Sequence, residues 1–147
     1  MKIFDAIFGK KKILIHSVLG KIESERIFGE NQANTYNWSG VKKSNSSKEI
    51  FFSLDGNYSN PYSKDLSFIV LFIEHLERKF INEIIEKLYT KNILKNKLNF
   101  KNEYYLSAIL SLGNHKFEVI FEKVDENEFN PLGIEYQNGI ISKVYKV

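Results

Sequence analysis

Between residues 61 and 89 the apolar residues Leu66, Ile69, Val70, Ile73, Leu76, Phe80, Ile84 and Leu88 recur every three or four positions, with Glu74, Glu77, Arg78, Glu83, Glu86 and Lys87 between them. This period predicts one long amphipathic helix from about Pro61 to Tyr89. Phe72, Ile81 and Ile85 widen the apolar face beyond a single stripe, so the helix is expected to be clasped on more than one side. At 1.5 Å per residue an unbroken helix of this length runs roughly 35–40 Å, enough to cross the face of a small sheet.

The flanking sequence has the alternation of strands. In "EIFFSL" Ile50, Phe52 and Leu54 share a face, and "KFEVIFEK" sets Phe117, Val119 and Phe121 against Glu118 and Glu122. "YYLSAILSL" places Tyr104, Leu106, Ala108, Leu110 and Leu112 on one side. Residues 13–27 alternate more loosely, with a bulge or bend expected at Gly20 and with His16 as an ordinary half-buried side chain. Gly113-Asn114 is a hairpin signal, and Asn138-Gly139 predicts a two-residue type I′ turn. Residues 90–105, rich in Asn, read as a short helix or a loop. The fold expected is a single α+β domain over residues 1–147, in which a largely antiparallel, meandering sheet packs against the long helix and a short helix precedes it.

Composition bounds what this domain does. With 43% hydrophobic and 27% charged residues, 147 residues suffice for a core without disulfides or structural metal. The absence of Cys removes thiolate nucleophiles, disulfides and cysteine-ligated zinc. The net charge of +3 comes largely from Lys, which shares A/T-rich codons with the also abundant Asn and Ile, and genome composition explains that bias about as well as a demand for nucleic-acid contacts, which would favour Arg.

In "MKIFDAIFGKKKILIH" Asp5 and Gly9 interrupt the apolar residues and the Lys10 to Lys12 cluster follows them instead of preceding them, and "FIVLFI" is far shorter than the ~20 residues that span a bilayer. A cytoplasmic protein with no membrane span is expected. From Met1 to Gly9, Ile3, Phe4, Ile7 and Phe8 lie at helical spacing. Two readings compete for this segment, a membrane anchor reinforced by Lys10, Lys11 and Lys12 or a cap docked on the domain, and its shortness favours the cap.

The stretch "DGNYSNPYSKDLS", residues 55–67, is rich in oxygen ligands. As a calcium loop it offers Asp55, Asn57 and Ser59, but the twelfth position, where a bidentate Glu belongs, is Leu66. Its glycosylation pattern, Asn57-Tyr58-Ser59, is shared with Asn37-Trp38-Ser39 and Asn45-Ser46-Ser47, as chance produces in an Asn- and Ser-rich chain. The structural reading uses every residue: Asp55-Gly56 turns the chain, Asn60 caps the helix, Pro61 takes its first position, and Asp65 complements the dipole.

Three function classes follow. For catalysis there is no phosphate loop, zinc helix or nucleophile motif, and His16, His75 and His115 are scattered, so a non-enzymatic protein with no catalytic residue, metal site or cofactor is expected. Glu74 with Glu77, and Glu118 with Glu122, read as solvated faces. For nucleic acid the candidate patch is Lys87, Lys91, Lys95, Lys97 and Lys101 interleaved with Tyr89, Phe100, Tyr104 and Tyr105. For protein recognition it is Tyr36, Trp38, Tyr58 and Tyr62, because Tyr and Trp bury large areas at low entropic cost; Trp38 reads equally well as core.

The combination of "TYNWSG" before a strand, one long helix and the closing "NPLGIEYQNGIISKVYKV" resembles the small cytosolic α+β immunity proteins that bacteria encode beside polymorphic or contact-dependent toxins. The likeness is diffuse over residues 13–147. It implies a protein that neutralises a toxin domain by binding and occlusion, and it transfers no functional residue, because such families share layout and not a site. The chain lacks the acidic charge expected of an inhibitor facing a basic nuclease.

Overall fold

The computed structural model describes residues 3–29 and 34–147. Met1 and Lys2 of the N-terminal helical segment, and Asn31 to Ala33 ahead of Tyr36, lie outside the described residues. Eight strands form one sheet in strict chain order: β1 (Ile13–His16), β2 (Gly20–Ser24), β3 (Tyr36–Lys43), β4 (Glu49–Gly56), β5 (Tyr104–Gly113), β6 (Lys116–Lys123), β7 (Leu132–Gln137) and β8 (Ile140–Lys146). All neighbours are antiparallel except β4 and β5, which are parallel. The long helix lies between those two strands in sequence. A parallel pair needs a crossover of a dozen residues or more, and the helix supplies it. The expected meander is therefore interrupted once.

The helix comprises α2 (Ser63–His75), a π-helical turn (Leu76–Phe80) and α3 (Ile81–Thr90). It begins two residues later than expected, and Asn60 does not cap it. Asn57 Oδ1 instead accepts from the backbone N–H groups of Ser59 and Asn60 at 2.8 and 2.9 Å, and Tyr62 N–H donates to the Asp55 carbonyl at 2.9 Å. A side-chain carboxamide that mimics a backbone turn has captured the reversal before the helix can start. Pro61 sits in a bridge with Gly56 and not in the helix.

One face of the sheet meets the helix. Ile69, Phe72, Phe80, Ile84 and Leu88 are buried against Phe52, Leu54, Ile109, Val119, Ile134 and Tyr136. In β5 the expected single face is wrong. A bulge between Leu106 and Ala108 slips the pleat by one residue, so Tyr104, Leu106 and Ile109 point inward, while Ala108, Leu110 and Leu112 go to the opposite side. A one-residue slip exchanges faces for everything beyond it.

The β5–β6 turn uses Asn114-His115, both at positive φ, one residue later than Gly113-Asn114, since Gly113 still pairs with Lys116. Asn138-Gly139, with φ of 51° and 79°, forms the expected turn. Gly20 is the first residue of β2 and pairs with His16, so the β1–β2 turn is residues 17–19, where His16 Nδ1 accepts from the N–H groups of Val18 and Leu19 at 3.1 and 3.2 Å. Residues 90–105 hold a short helix, α4 (Phe100–Glu103). The first helix, α1 (Ile3–Phe8), has no buried residue, so it does not cap the core through its apolar face.

Candidate functional site

Because the helix covers one face of the sheet only, the other face lies open. Strand register builds one cross-strand row on it: Val41 of β3 pairs with Phe51, Phe51 with Ala108, Ala108 with Ile120, Ile120 with Gly133, and Gly133 with Tyr145. Every member is apolar or aromatic. Five interstrand steps of about 4.8 Å make the row roughly 24 Å long. Val41 and Phe51 are 50% and 44% exposed, and Ala108, Ile120 and Tyr145 are half-buried.

Polar rows border this stripe. On one side stand Lys43, Glu49, Tyr105 and Glu122; on the other Ser39, Ser53, Leu110, Glu118, Glu135 and Lys143, where Leu110 alone is apolar. Two tyrosines fix carboxylates beside the stripe. Tyr105 donates to Glu122 at 3.0 Å, and the Tyr145 hydroxyl reaches across β7 to Glu118. Gly133 makes that reach possible, because a Cβ there would meet the Tyr145 ring at 2.6 Å. Burial, and then the bonded carboxylate, push both phenols above their ordinary value.

The aromatics expected to form a recognition surface are placed differently. Tyr36 and Trp38 are buried, Trp38 to 1% exposure, with its indole N–H donating to the Asn57 carbonyl at 3.1 Å. Their area goes into the core. Tyr58 is half-buried with the Lys12 ammonium 4.3 Å from its ring centre, and Tyr62 is exposed at the start of α2.

The lysine patch lies at the surface, with Lys97 half-buried, and is partly neutralised. Lys97 pairs with Glu86 at 2.6 Å and Lys101 with Glu77 at 3.4 Å, while Lys87, Lys91 and Lys95 stand exposed. Phe100 and Tyr104 stack on each other inside the core, 5.0 Å between ring centres, which removes two of the expected stacking platforms. Tyr89 remains at the surface under Lys97. An open groove of about 420 Å³ lies here, lined by Asn82, Ile85, Glu86, Lys97, Leu98 and Lys101.

Sequence reading missed one pair altogether. Asp65, 2% exposed in the first turn of α2, lies 2.7 Å from Nδ1 of His115 at the tip of the β5–β6 turn. Close by along the same strands, Ser111 donates to Asp55 at 3.1 Å. The first contact ties the start of the helix to the hairpin, and the second ties β5 to β4. Asp65 stands in the polar first turn of α2, where it reads as a helix-dipole residue, so no local signal pointed to the pair. Among the described residues no group of three or more His, Asp or Glu converges on a metal position.

Fold and surface together define an α+β protein with one helix-covered and one open sheet face. No protein-family model matches the chain, and no curated protein or solved structure shows significant similarity to it.

Proposed function

We propose that this is a non-enzymatic binding protein, of the immunity type, that neutralises a toxin domain by covering it with the open face of the sheet. The observation that carries the reading is the apolar row from Val41 to Tyr145 with polar rows on both sides. Protein interfaces have this anatomy, an apolar centre framed by a polar rim, and about 800 Å² per partner suffices for a stable complex. The mixed charges at the borders, Glu49, Glu118 and Glu122 with Lys43 and Lys143, suit a folded protein surface better than a polyanion, which would be repelled by the carboxylates.

Co-expression with the toxin domain encoded beside its gene tests the reading. Wild type is expected to restore growth and to co-purify with the toxin. The double variant Val41→Glu, Phe51→Glu is expected to fold but to bind at least roughly thirtyfold more weakly, as when hot-spot residues are lost. Failure of folded wild type to restore growth rejects it.

A further inference from the structure

Helix α1 is oriented inside out. Ile3, Phe4, Ile7 and Phe8 form one stripe, the stripe that in a globular helix faces the core. Here these four side chains are 49–81% exposed, and Asp5 turns toward the body, 3.9 Å from Arg26. Arg26 also donates to the Gly9 carbonyl at 2.8 Å and lies 4.4 Å from the centre of the Phe4 ring. Lys10 and Ile27 exchange backbone hydrogen bonds at 3.0 and 3.1 Å. Polar contacts therefore hold the helix and leave its apolar side outward. Phe28, 63% exposed beside Gly9, extends the surface.

Positive charge adjoins this surface. Lys10 and Lys11 are exposed, and Lys12 is half-buried. The nearby carboxylates are engaged: Asp5 by Arg26, and Glu23 by Lys21 at 2.8 Å and Lys11 at 3.9 Å. The residue types discriminate between occupants. A protein hot spot favours Trp, Tyr and Arg. The one Arg here, Arg26, is committed to the Gly9 carbonyl, Asp5 and the Phe4 ring; the exposed groups are Phe and Ile beside Lys, a flexible point charge that can lay its stem along apolar surface and keep its ammonium in water.

We propose that this surface docks on an anionic lipid bilayer. In that pose α1 lies in the headgroup plane, with its Phe and Ile side chains in the acyl boundary and the exposed Lys10 and Lys11 on the phosphates. So small an apolar face makes the attachment reversible and salt-sensitive. It uses a different surface from the open sheet face, so the two proposals fail independently.

Vesicle flotation with phosphatidylcholine, with and without phosphatidylglycerol, tests it on the full chain. Wild type is expected to float with the anionic vesicles only. Phe4→Ser is expected to weaken binding about tenfold, and Lys10→Gln and Lys11→Gln about fivefold each. Because the altered side chains are exposed, thermal unfolding of these variants should match wild type. Absence of wild-type binding to anionic vesicles overturns the proposal, as does undiminished binding by the Phe4→Ser, Phe8→Ser double variant. Self-association or capture of another protein that depends on Phe4, without vesicle binding, also overturns it by assigning the surface to a second copy or to a protein partner.

Discussion

The rings of Phe72 and Phe80 lie 4.7 Å apart, eight positions from each other on one helix, and the π-helical turn Leu76–Phe80 is what aligns them. In an unbroken α-helix eight residues make about 2.2 turns, which would set the two rings roughly 80° out of phase. The wider turn absorbs the extra residue, so α2 and α3 present their apolar faces to the same sheet.

That account predicts an asymmetry. Deleting Arg78, an exposed residue of the π turn, leaves seven positions, about 1.9 turns, and a regular α-helix can restore the alignment. Inserting one Ala after Arg78 leaves nine, about 2.5 turns, and drives α3 out of phase. The deletion variant is expected to keep a cooperative thermal transition, and the insertion variant to lose it. The same result for both would refute the role given to the turn.

Tyr136 carries a buried hydroxyl with no hydrogen-bond partner among the described residues, amid the rings of Phe68, Phe72 and Phe80. An orphaned polar group costs about 1–3 kcal/mol. Tyr136→Phe keeps the ring and removes the cost, so urea denaturation should show a gain of about 1 kcal/mol or more. A loss of stability would reveal a partner for the hydroxyl.

Gly133 lets the Tyr145 ring lie across β7 to Glu118. Gly133→Ala places a methyl where the ring is, and a ring at the end of a flexible side chain can move aside. The expected cost is about 1 kcal/mol or less. The diagnostic change is in titration: the Tyr145 phenol, held up by burial and by Glu118, should move back toward the ordinary value of 10 in ultraviolet absorbance, with Tyr145→Phe identifying its signal.

Alkaline stability depends on three tyrosines. Tyr105, Tyr136 and Tyr145 all lie above their ordinary value of 10, chiefly through burial. The unfolded chain therefore loses these protons first. The stability they contribute is fully present below about pH 10 and drains away as pH rises toward the folded-state values, by at most ~1.4 kcal/mol per pH unit for each tyrosine. Denaturant titrations between pH 8 and pH 11 should show this decline. The Tyr136→Phe, Tyr145→Phe double variant should decline less steeply, and an unchanged slope would assign the loss to the lysines.

The elements that follow local rules were readable from the chain alone. The three-and-four spacing through Ile69, Phe80, Ile84 and Leu88 marked the helix, the alternation in β4 and β6 marked their buried faces, and Asn138-Gly139 marked its turn. The candidate surfaces were much less so. Trp38 is the kind of residue that serves an interface or a core equally well, and the stripe from Val41 to Tyr145 comes from six strands, with no motif of its own.

Sequence by itself thus determined the long amphipathic helix, the strand-rich segments on either side of it and the type I′ turn, because neighbours along the chain set helical and strand periods and turn geometry. Tertiary structure alone decided the bulge in β5, the π turn, the burial of Tyr36 and Trp38, the meeting of Asp65 with His115, and the outward stripe of α1. Each of these depends on what lies opposite a residue in space. A one-residue phase slip is chosen by the surface it must fit, and burial by whether another layer arrives to cover it.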